Sequence, residues 1–186
     1  MSAKRAFDLI LASVALAMLS VPMLVVMLAI YLSDRGPVFY RQIRVGRNCQ
    51  PFGMLKFRSM VINADKVGGY ATASGDPRIT SIGRFIRRTS LDELPQLLNV
   101  LQGNMSIVGP RPDVPAQETL YTPDQWRARH RVRPGITGLA QAVARSTASA
   151  EERTALDLAY VQTASVFFDL KIILMTVRQL IARTGN

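Results

Sequence analysis

The feature that most constrains this chain is an apolar segment close to its amino terminus. Residues 6–32 read AFDLILASVALAMLSVPMLVVMLAIYL, in which Asp8 carries the only formal charge. A helix needs about 20 apolar residues to cross the hydrocarbon core of a bilayer, so the segment is long enough to enter a membrane. Pro22 interrupts it, because proline lacks a backbone N–H and disfavours helical angles at the preceding residue. Ser20 lies close enough to satisfy a carbonyl that this break leaves free.

The charges on either side of the segment indicate how it enters the membrane. Lys4 and Arg5 precede it, and residues 35–60 contain six basic residues and no Asp or Glu. Lys and Arg mark cytoplasmic flanks, and here both flanks qualify. The sequence therefore predicts a re-entrant helix-break-helix over residues 1–34, followed by a cytoplasmic domain over residues 35–186. A straight span is the alternative that puts Lys4 and Arg5 on the wrong side. A cleaved signal peptide fits less well, because the apolar run continues far beyond a small-residue cleavage site.

The net charge of the chain points to anionic partners. The 186 residues include 23 Lys and Arg against 13 Asp and Glu, a formal net charge of +10. Phosphate groups, an acidic membrane surface and nucleic acid all fit this charge. Scattered aromatic residues and the absence of nucleic-acid-binding motifs argue against nucleic acid. The single Cys49 and the single His130 exclude an internal disulfide and a His-rich zinc site.

Residues beyond the apolar segment indicate a mostly helical α+β domain. Short strands are predicted at 38–40 and 54–57 around a turn at 46–53, which together indicate a β-hairpin. A loop is predicted over 63–77, where glycines are frequent. Apolar periodicity predicts helices at 82–88, 91–101 and 117–130, and two more within 150–183.

Two adjacent carboxylates are the strongest candidates for chemistry. Asp92 and Glu93 follow Ser90, just after a cluster of arginines that includes Arg87. The plainest interpretation is a capping box, with Ser90 as N-cap and Glu93 three residues later. A carboxylate at a helix start beside arginines is also expected to stay ionised, so that Asp92 could ligate Mg²⁺ or attack phosphorus. Neither the phosphate-binding loop of P-loop proteins nor a GxGxxG motif is present, so a nucleotide must be held in another way.

A basic stretch further along the chain is the second candidate. Arg111 lies between two prolines, which is typical of a rigid turn with a solvated side chain. No acidic residue occurs between residues 127 and 150. Alternating arginines begin this stretch: Arg127, Arg129, Arg131 and Arg133. Because such a face would repel itself, a bound polyanion or phospholipid surface is the favoured interpretation. His130 is expected to be packed rather than catalytic.

Five motifs occur in an order that is specific when they are taken together. They are KRAFD at 4–8, KFRSM at 56–60, SLDELPQLLNVLQGNMSIVGPRP at 90–112, RHRVRPGITG at 129–138 and FDLKI at 168–172. This order resembles the bacterial sugar transferases, the monotopic phosphoglycosyl transferase family. The resemblance implies transfer of a sugar 1-phosphate from a UDP-sugar to polyprenyl (undecaprenyl) phosphate, with release of UMP. It also implies a re-entrant membrane helix and a role in initiating glycan assembly at the cytoplasmic face of the bacterial inner membrane.

The resemblance also assigns roles to individual residues. Asp92 is implied to be the nucleophile that forms a covalent phosphosugar intermediate, with Mg²⁺ bound near it, and Glu93 is its dyad partner. Phosphate-neutralising cations are placed at Lys56, Arg58, Arg87, Arg111, Arg133 and Arg145.

The chain departs from the family pattern at the membrane break. The family's break is usually a contiguous Ser-Pro, whereas Val21 separates Ser20 from Pro22 here. Many relatives carry additional amino-terminal membrane spans, so the resemblance implies the minimal catalytic form. The alternative to an enzyme is a membrane-anchored adaptor that binds anionic lipid through its arginines without catalysis.

Overall fold

A long amino-terminal helix leads into the rest of the molecule. The computed structural model describes residues 2–64, 68, 73, 75–144 and 149–184. Helix α1, Ala3–Asp34, begins where the Ser2 side chain accepts from the Arg5 N–H, and it ends at Arg35 in the left-handed conformation. Its last residue, Asp34, is also the last residue of the predicted membrane segment.

Helix α1 continues through Pro22 without interruption, so the prediction of two helices separated by a break is wrong. Proline leaves the Met18 carbonyl, four residues earlier, without its N–H partner. The Ser20 hydroxyl does not replace that partner, because it donates to the Ala17 carbonyl at 2.8 Å. One lost hydrogen bond is tolerated here because residues of α1 on both sides of Pro22 pack against the domain.

The predicted β-hairpin is present, with longer strands than expected. Strand β1, Phe39–Val45, pairs antiparallel with β2, Pro51–Phe57, in a register that places Phe39 opposite Phe57 and Val45 opposite Pro51. A 3-10 turn, Arg47–Cys49, joins the strands. Asn48 and Cys49 adopt positive φ angles in that turn, which allow the chain to reverse.

The remaining elements confirm a mostly helical α+β domain. They are α2, Ser81–Arg88; α3, Gln96–Gln102; β3, Ser106–Val108; α4, Pro123–Arg129; β4, Gly135–Thr137; α5, Leu139–Val143; α6, Ala150–Thr163; and α7, Val166–Thr184. Short 3-10 turns lie at Leu91–Glu93 and Pro115–Leu120. Strands β3 and β4 form a parallel pair that was not predicted. Pro95 separates the turn at Leu91–Glu93 from α3, which divides the helix expected over 91–101. The loop expected over 63–77 lies partly outside the described residues.

Helix α1 has two apolar faces with different surroundings. One face is buried against the domain from Asp8 to Ile30, a distance of about 33 Å at 1.5 Å per residue. In the first half of the helix Ala12 packs into a cluster around Val100, and near its end Ile30 packs with Phe57. The other face is exposed, and its large apolar side chains recur every three or four residues: Ile10, Val14, Met18, Val21, Val25, Leu28 and Leu32. α1 therefore lies along the domain and presents an apolar stripe away from it.

The one charge in the apolar segment fixes the start of α1 to the domain. Asp8 is 1% exposed, and its Oδ1 accepts from the Ser106 hydroxyl at 2.9 Å and from the Ile107 N–H at 3.0 Å. Lys4, one turn earlier, pairs with the buried carboxylate of Asp169 on α7. These contacts join α1, β3 and α7, so Asp8 is a docking residue in an otherwise apolar surface.

Candidate active site

A cavity of about 920 Å³ lies between the hairpin, the turn before α3 and the carboxy-terminal helices. Its charged and amide-bearing lining includes Arg44, Lys56, Arg87, Asp92, Glu93, Arg111, Asp113, Gln117, Arg129, Arg153 and Asp157. Apolar residues complete the lining, and two of them, Ala15 and Leu19, come from α1. The cavity therefore combines a charged region with apolar walls that reach the long amino-terminal helix.

The segment that carries both carboxylates is a tight turn rather than a capped helix. Ser90 adopts the left-handed conformation with φ 58°, and its side chain makes no capping hydrogen bond. The Glu93 N–H donates instead to the Ser90 carbonyl at 3.3 Å. The capping-box interpretation is therefore wrong, because the Glu93 side chain is engaged by cations from other parts of the fold.

Glu93 is held between two cations. Its Oε1 accepts from Lys56 Nζ and from Arg111 Nη2, both at 2.9 Å. Burial alone would raise the pKa of Glu93, but the charges of Arg111 and Lys56 outweigh burial and lower that pKa to about 2. Glu93 therefore stays ionised and links β2 to the turn that carries Arg111.

Asp92 has a different environment from its neighbour. It is 8% exposed, and within the described part of the chain no other side chain hydrogen-bonds to its carboxylate. Burial raises the pKa of Asp92, while the charges of Lys56 and Arg87 partly oppose that rise and Glu93 adds to it. Nearby cations favour the ionised form of both carboxylates, as expected, but at Asp92 burial opposes them and at Glu93 they prevail. A buried carboxylate without a side-chain partner is suited to react or to bind a cation.

Three of the predicted cations lie in the cavity with this pair. Lys56 comes from β2 and contacts Glu93, as does Arg111. Arg87, in the last turn of α2, donates through Nε to the Ser59 hydroxyl at 2.9 Å, and its charge lowers the pKa of Asp92. Arg111 is about half exposed on its side chain, so its guanidinium keeps donors available to a ligand.

Other predicted site residues lie elsewhere. Arg58 is buried and pairs with Asp34 at the end of α1, and it does not line the cavity. Arg133 also lies outside the cavity wall, and its Nε donates to the Gly103 carbonyl at 2.7 Å. Arg145 falls outside the described residues.

The alternating arginines do not form a common anion-binding face. Arg129 is 5% exposed and is enclosed by the carboxylates of Asp113 and Asp157. Arg127 pairs with Asp124 at the surface. The partners Asp113 and Asp124 precede the basic stretch and Asp157 follows it, so the charges within the stretch do not indicate these ion pairs. The interpretation of the stretch as a single polyanion surface is wrong for these residues.

His130 is packed, as expected. It is 3% exposed, its Nδ1 lies 2.8 Å from the Trp126 carbonyl, and its ring meets the Trp126 ring edge-on. Burial lowers the pKa of His130, which favours the neutral ring.

Sequence reasoning missed Arg44 as a site residue. It was counted only among the positive flank charges, whereas it lines the cavity and donates to the Pro112 carbonyl at 2.8 Å. Burial lowers the pKa of Arg44, and the nearby charge of Arg111 lowers it further. Alternation along β1 would have placed the Arg44 side chain on the inward-facing side. The predicted strand at 38–40 stops before residue 44, so this alternation was not available.

A carboxylate without a side-chain partner, a clamped carboxylate and several cations in one cavity are suited to phosphate-bearing substrates. A model of the bacterial sugar transferase family matches residues 1–183, and the chain belongs to that family.

Individual relatives agree with this assignment. The chain is 46% identical over 182 residues to the UDP-glucose:undecaprenyl-phosphate glucose-1-phosphate transferase of Escherichia coli K12, covering 94% of this chain and 39% of that protein. It is 44% identical to the uncharacterized sugar transferase EpsL of Bacillus subtilis 168, covering 98% of this chain and 89% of EpsL. It is also 42% identical to a glucose-1-phosphate transferase of the same description from Caulobacter vibrioides, covering 96% of this chain and 69% of that protein. The chain thus spans well under half of the E. coli relative and most of the B. subtilis one.

Proposed function

We propose that this protein transfers a sugar 1-phosphate from a UDP-sugar to undecaprenyl phosphate and releases UMP. The names of the E. coli and C. vibrioides relatives support this donor and acceptor. The observation that carries the proposal is the contrast within the carboxylate pair, in which Asp92 is unpaired while Glu93 is clamped by Lys56 and Arg111. An adaptor without catalysis has less support, because Arg58, Arg129 and Arg133 are engaged inside the protein.

The first chemical step uses Asp92 as the nucleophile. One Oδ atom attacks the sugar-bearing phosphorus of the UDP-sugar, a P–O bond forms, and the bond to the bridging oxygen breaks with UMP as the leaving group. In the second step an oxygen of undecaprenyl phosphate attacks the same phosphorus, and the Asp92 carboxylate leaves. The product is a polyprenyl diphosphate sugar, and Asp92 returns to its starting state.

The cations of the cavity make an anionic attack on an anionic phosphate feasible. Lys56, Arg87 and Arg111 lie around the carboxylate pair, and Arg44 lines the same cavity. Their charges offset the repulsion between the Asp92 carboxylate and the phosphate oxygens, which is strongest where water is excluded. The ionised Glu93 holds Lys56 and Arg111 in place during both steps.

The residues present fit a magnesium ion, provided that the substrate supplies further ligands. The described residues contain no group of three or more His, Cys, Asp or Glu that could hold a metal ion alone. Mg²⁺ commonly binds through one or two carboxylates together with substrate phosphate oxygens and water, and Asp92 offers an unpaired carboxylate for this. When bound, such an ion would supply charge stabilisation at the diphosphate.

The packing of α1 supports a position on one side of the membrane. The helix is apolar and long enough to cross a bilayer, yet it contacts the domain over about 33 Å, about the thickness of a hydrocarbon core. A straight crossing would carry the charged cavity beside it into lipid, which is costly. We therefore infer that the exposed stripe of α1 faces lipid while both ends of the helix stay on the cytoplasmic side of the bacterial inner membrane.

Release of UMP tests the proposed activity. Purified protein in detergent is incubated with undecaprenyl phosphate, Mg²⁺ and a panel of UDP-sugars that includes UDP-glucose, and UMP is measured. We expect UMP from the wild type with at least one donor, and none when Mg²⁺ is chelated. The matched control Asp124→Asn changes an exposed carboxylate and should leave the rate unchanged. UMP formation that is independent of both acceptor and Mg²⁺ would contradict the proposal.

A further inference from the structure

The turn that carries Arg111 is held almost entirely by other parts of the fold. Residues 109–113 follow the end of β3 and belong to neither a helix nor a strand. Four consecutive carbonyls each accept one hydrogen bond: Pro110 from Gly135 N at 2.9 Å, Arg111 from Arg129 Nη2 at 2.8 Å, Pro112 from Arg44 Nη1 at 2.8 Å, and Asp113 from Val45 N at 2.9 Å. The donors belong to β1, α4 and β4. The direction of the Arg111 side chain is thus set from outside its own segment.

Arg129 is the central donor in this arrangement. Its Nε and Nη2 donate to Asp157 Oδ2 at 2.9 and 2.8 Å, and its Nη1 pairs with the Asp113 carboxylate. With the bond to the Arg111 carbonyl, four of the five N–H groups of this guanidinium are used. Asp157 lies within α6, so this contact joins that helix to the Arg111 turn.

The charge of the cluster argues against direct phosphate binding by Arg129, although Arg129 lines the cavity. One guanidinium is enclosed by the two carboxylates of Asp113 and Asp157, which leaves a formal charge of −1 when both are ionised. A phosphate would be repelled by that charge, and almost no donor of Arg129 is left to bind it. Binding of substrate therefore does not explain why this arginine is buried at the cavity wall.

We infer that Arg129 and Asp157 are positioning residues that act on the substrate through Arg111. Asp157 orients the Arg129 guanidinium, which fixes the Arg111 carbonyl and so directs the Arg111 side chain toward Glu93 and the reacting phosphate. This inference rests on the proposed function for the role of Arg111 in turnover. Its structural half is the statement that the conformation of the Arg111 turn depends on Asp157, and this can be tested without enzymatic turnover.

Hydrogen exchange tests the structural half. In Asp157→Asn, which loses the charge but keeps the shape, we expect the amides of Val45 and Gly135, which donate to the Asp113 and Pro110 carbonyls, to exchange at least about fivefold faster, while those of α3 stay unchanged. Asp157→Glu, which keeps the charge on a longer side chain, serves the same purpose if the amide variant does not fold. Unchanged exchange of the Val45 and Gly135 amides, or equal acceleration throughout the protein, would overturn the inference.

A double-mutant cycle tests the catalytic half. Asp157→Asn should lower kcat/KM by about tenfold in the wild type, but by less than about twofold when Arg111→Gln is already present. Asp124→Asn, on an exposed carboxylate, should leave kcat/KM unchanged in both backgrounds. Equal losses in the two backgrounds would show that Asp157 does not act through Arg111. Absence of UMP from the wild type would remove the proposed function instead, and the exchange measurement would still decide the structural half.

Discussion

Asp92 and Glu93 show how two adjacent carboxylates acquire opposite properties. Burial raises the pKa of Asp92, whereas Arg111 and Lys56 overcome burial at Glu93 and lower its pKa to about 2. Environments that shift the pKa values of two carboxylates in opposite directions give the two groups different chemical roles. In the proposed mechanism the pair therefore acts as a nucleophile and a fixed counter-ion rather than as two equivalent acids.

The raised pKa of Asp92 predicts a pH dependence. Attack requires the ionised form, so kcat/KM should fall as the pH drops through the pKa of Asp92, at a higher pH than for an ordinary aspartate. Because the charge of Lys56 lowers that pKa, Lys56→Gln should move the acid limb to still higher pH. The pH profile of UMP formation measures this, with Lys171→Gln on an exposed lysine as control. An acid limb that does not move would contradict the assignment.

Arg111→Lys tests the shape of a cation rather than its charge. Lysine keeps the positive charge but loses the planar fork that can hold Glu93 and a phosphate oxygen together. We expect kcat/KM to fall by about tenfold with little change in melting temperature, because the side chain is half exposed. Arg178→Lys, on an exposed arginine of α7, is the matched control. Unchanged kinetics would return Arg111 to the role of a solvated turn residue.

The sequence could place some of these residues but not their partners. Lys56, Arg87 and Arg111, which the motifs predict near the carboxylate pair, line the same cavity as that pair. Arg58 and Arg133 look equally suitable in sequence, yet Asp34 and the Gly103 carbonyl engage them, and those partners are set by tertiary packing. The residues Ser90 and Glu93 also match a capping box, but that pattern does not indicate the left-handed backbone conformation of Ser90.

At the scale of elements, helix α1 is the clearest difference between pattern and structure. Its apolar length was evident, but both of its faces are apolar, so periodicity could not show which face packs against the domain. Pro22 pointed to a break, whereas contacts of α1 with two core clusters keep the helix continuous. The hairpin was predicted correctly because its strands and turn residues are local signals. The parallel pair of β3 and β4 joins segments too short and too distant for such signals.

Asp8 provides a test of how α1 is docked. Asp8→Ala leaves the Ser106 hydroxyl and the buried Ile107 N–H without their acceptor, which should cost about 1–3 kcal/mol of unfolding free energy. Asp8→Asn keeps an acceptor and should cost less. Denaturant unfolding in detergent measures both, with Asp124→Ala as an exposed control. Equal stability of Asp8→Ala and the wild type would show that these contacts do not hold the helix.

At the scale of the molecule, the proposed topology places the exposed stripe of α1 and the charged cavity at one membrane surface. The cavity wall includes Ala15 and Leu19 of the same helix whose opposite face we place in lipid. Under the proposed function, a lipid-linked acceptor can reach the carboxylate pair without leaving the membrane, while a water-soluble nucleotide sugar approaches from the cytoplasm. In this arrangement the apolar helix contacts lipid and the basic residues of the domain face the phosphate groups of the substrates.

Labelling of introduced cysteines tests the topology. With Cys49→Ser as background, Ser2→Cys and Arg35→Cys place single thiols at the two ends of α1. Both should be protected from a membrane-impermeant reagent in intact cells and should become reactive after the cells are opened. Opposite accessibility of the two positions would mean that α1 crosses the bilayer, and the single-sided arrangement would be wrong.

The central claim is that Asp92 carries the sugar phosphate during turnover. Wild-type protein is incubated with UDP-sugar and Mg²⁺ in the absence of undecaprenyl phosphate, and the intact protein and its peptides are analysed by mass spectrometry. We expect a mass increase equal to one sugar phosphate, located on Asp92, which disappears when undecaprenyl phosphate is added. Asp92→Asn should fold but acquire no such mass, because an amide cannot form the acyl phosphate. An adduct on another residue, or full turnover by Asp92→Asn, would contradict the account.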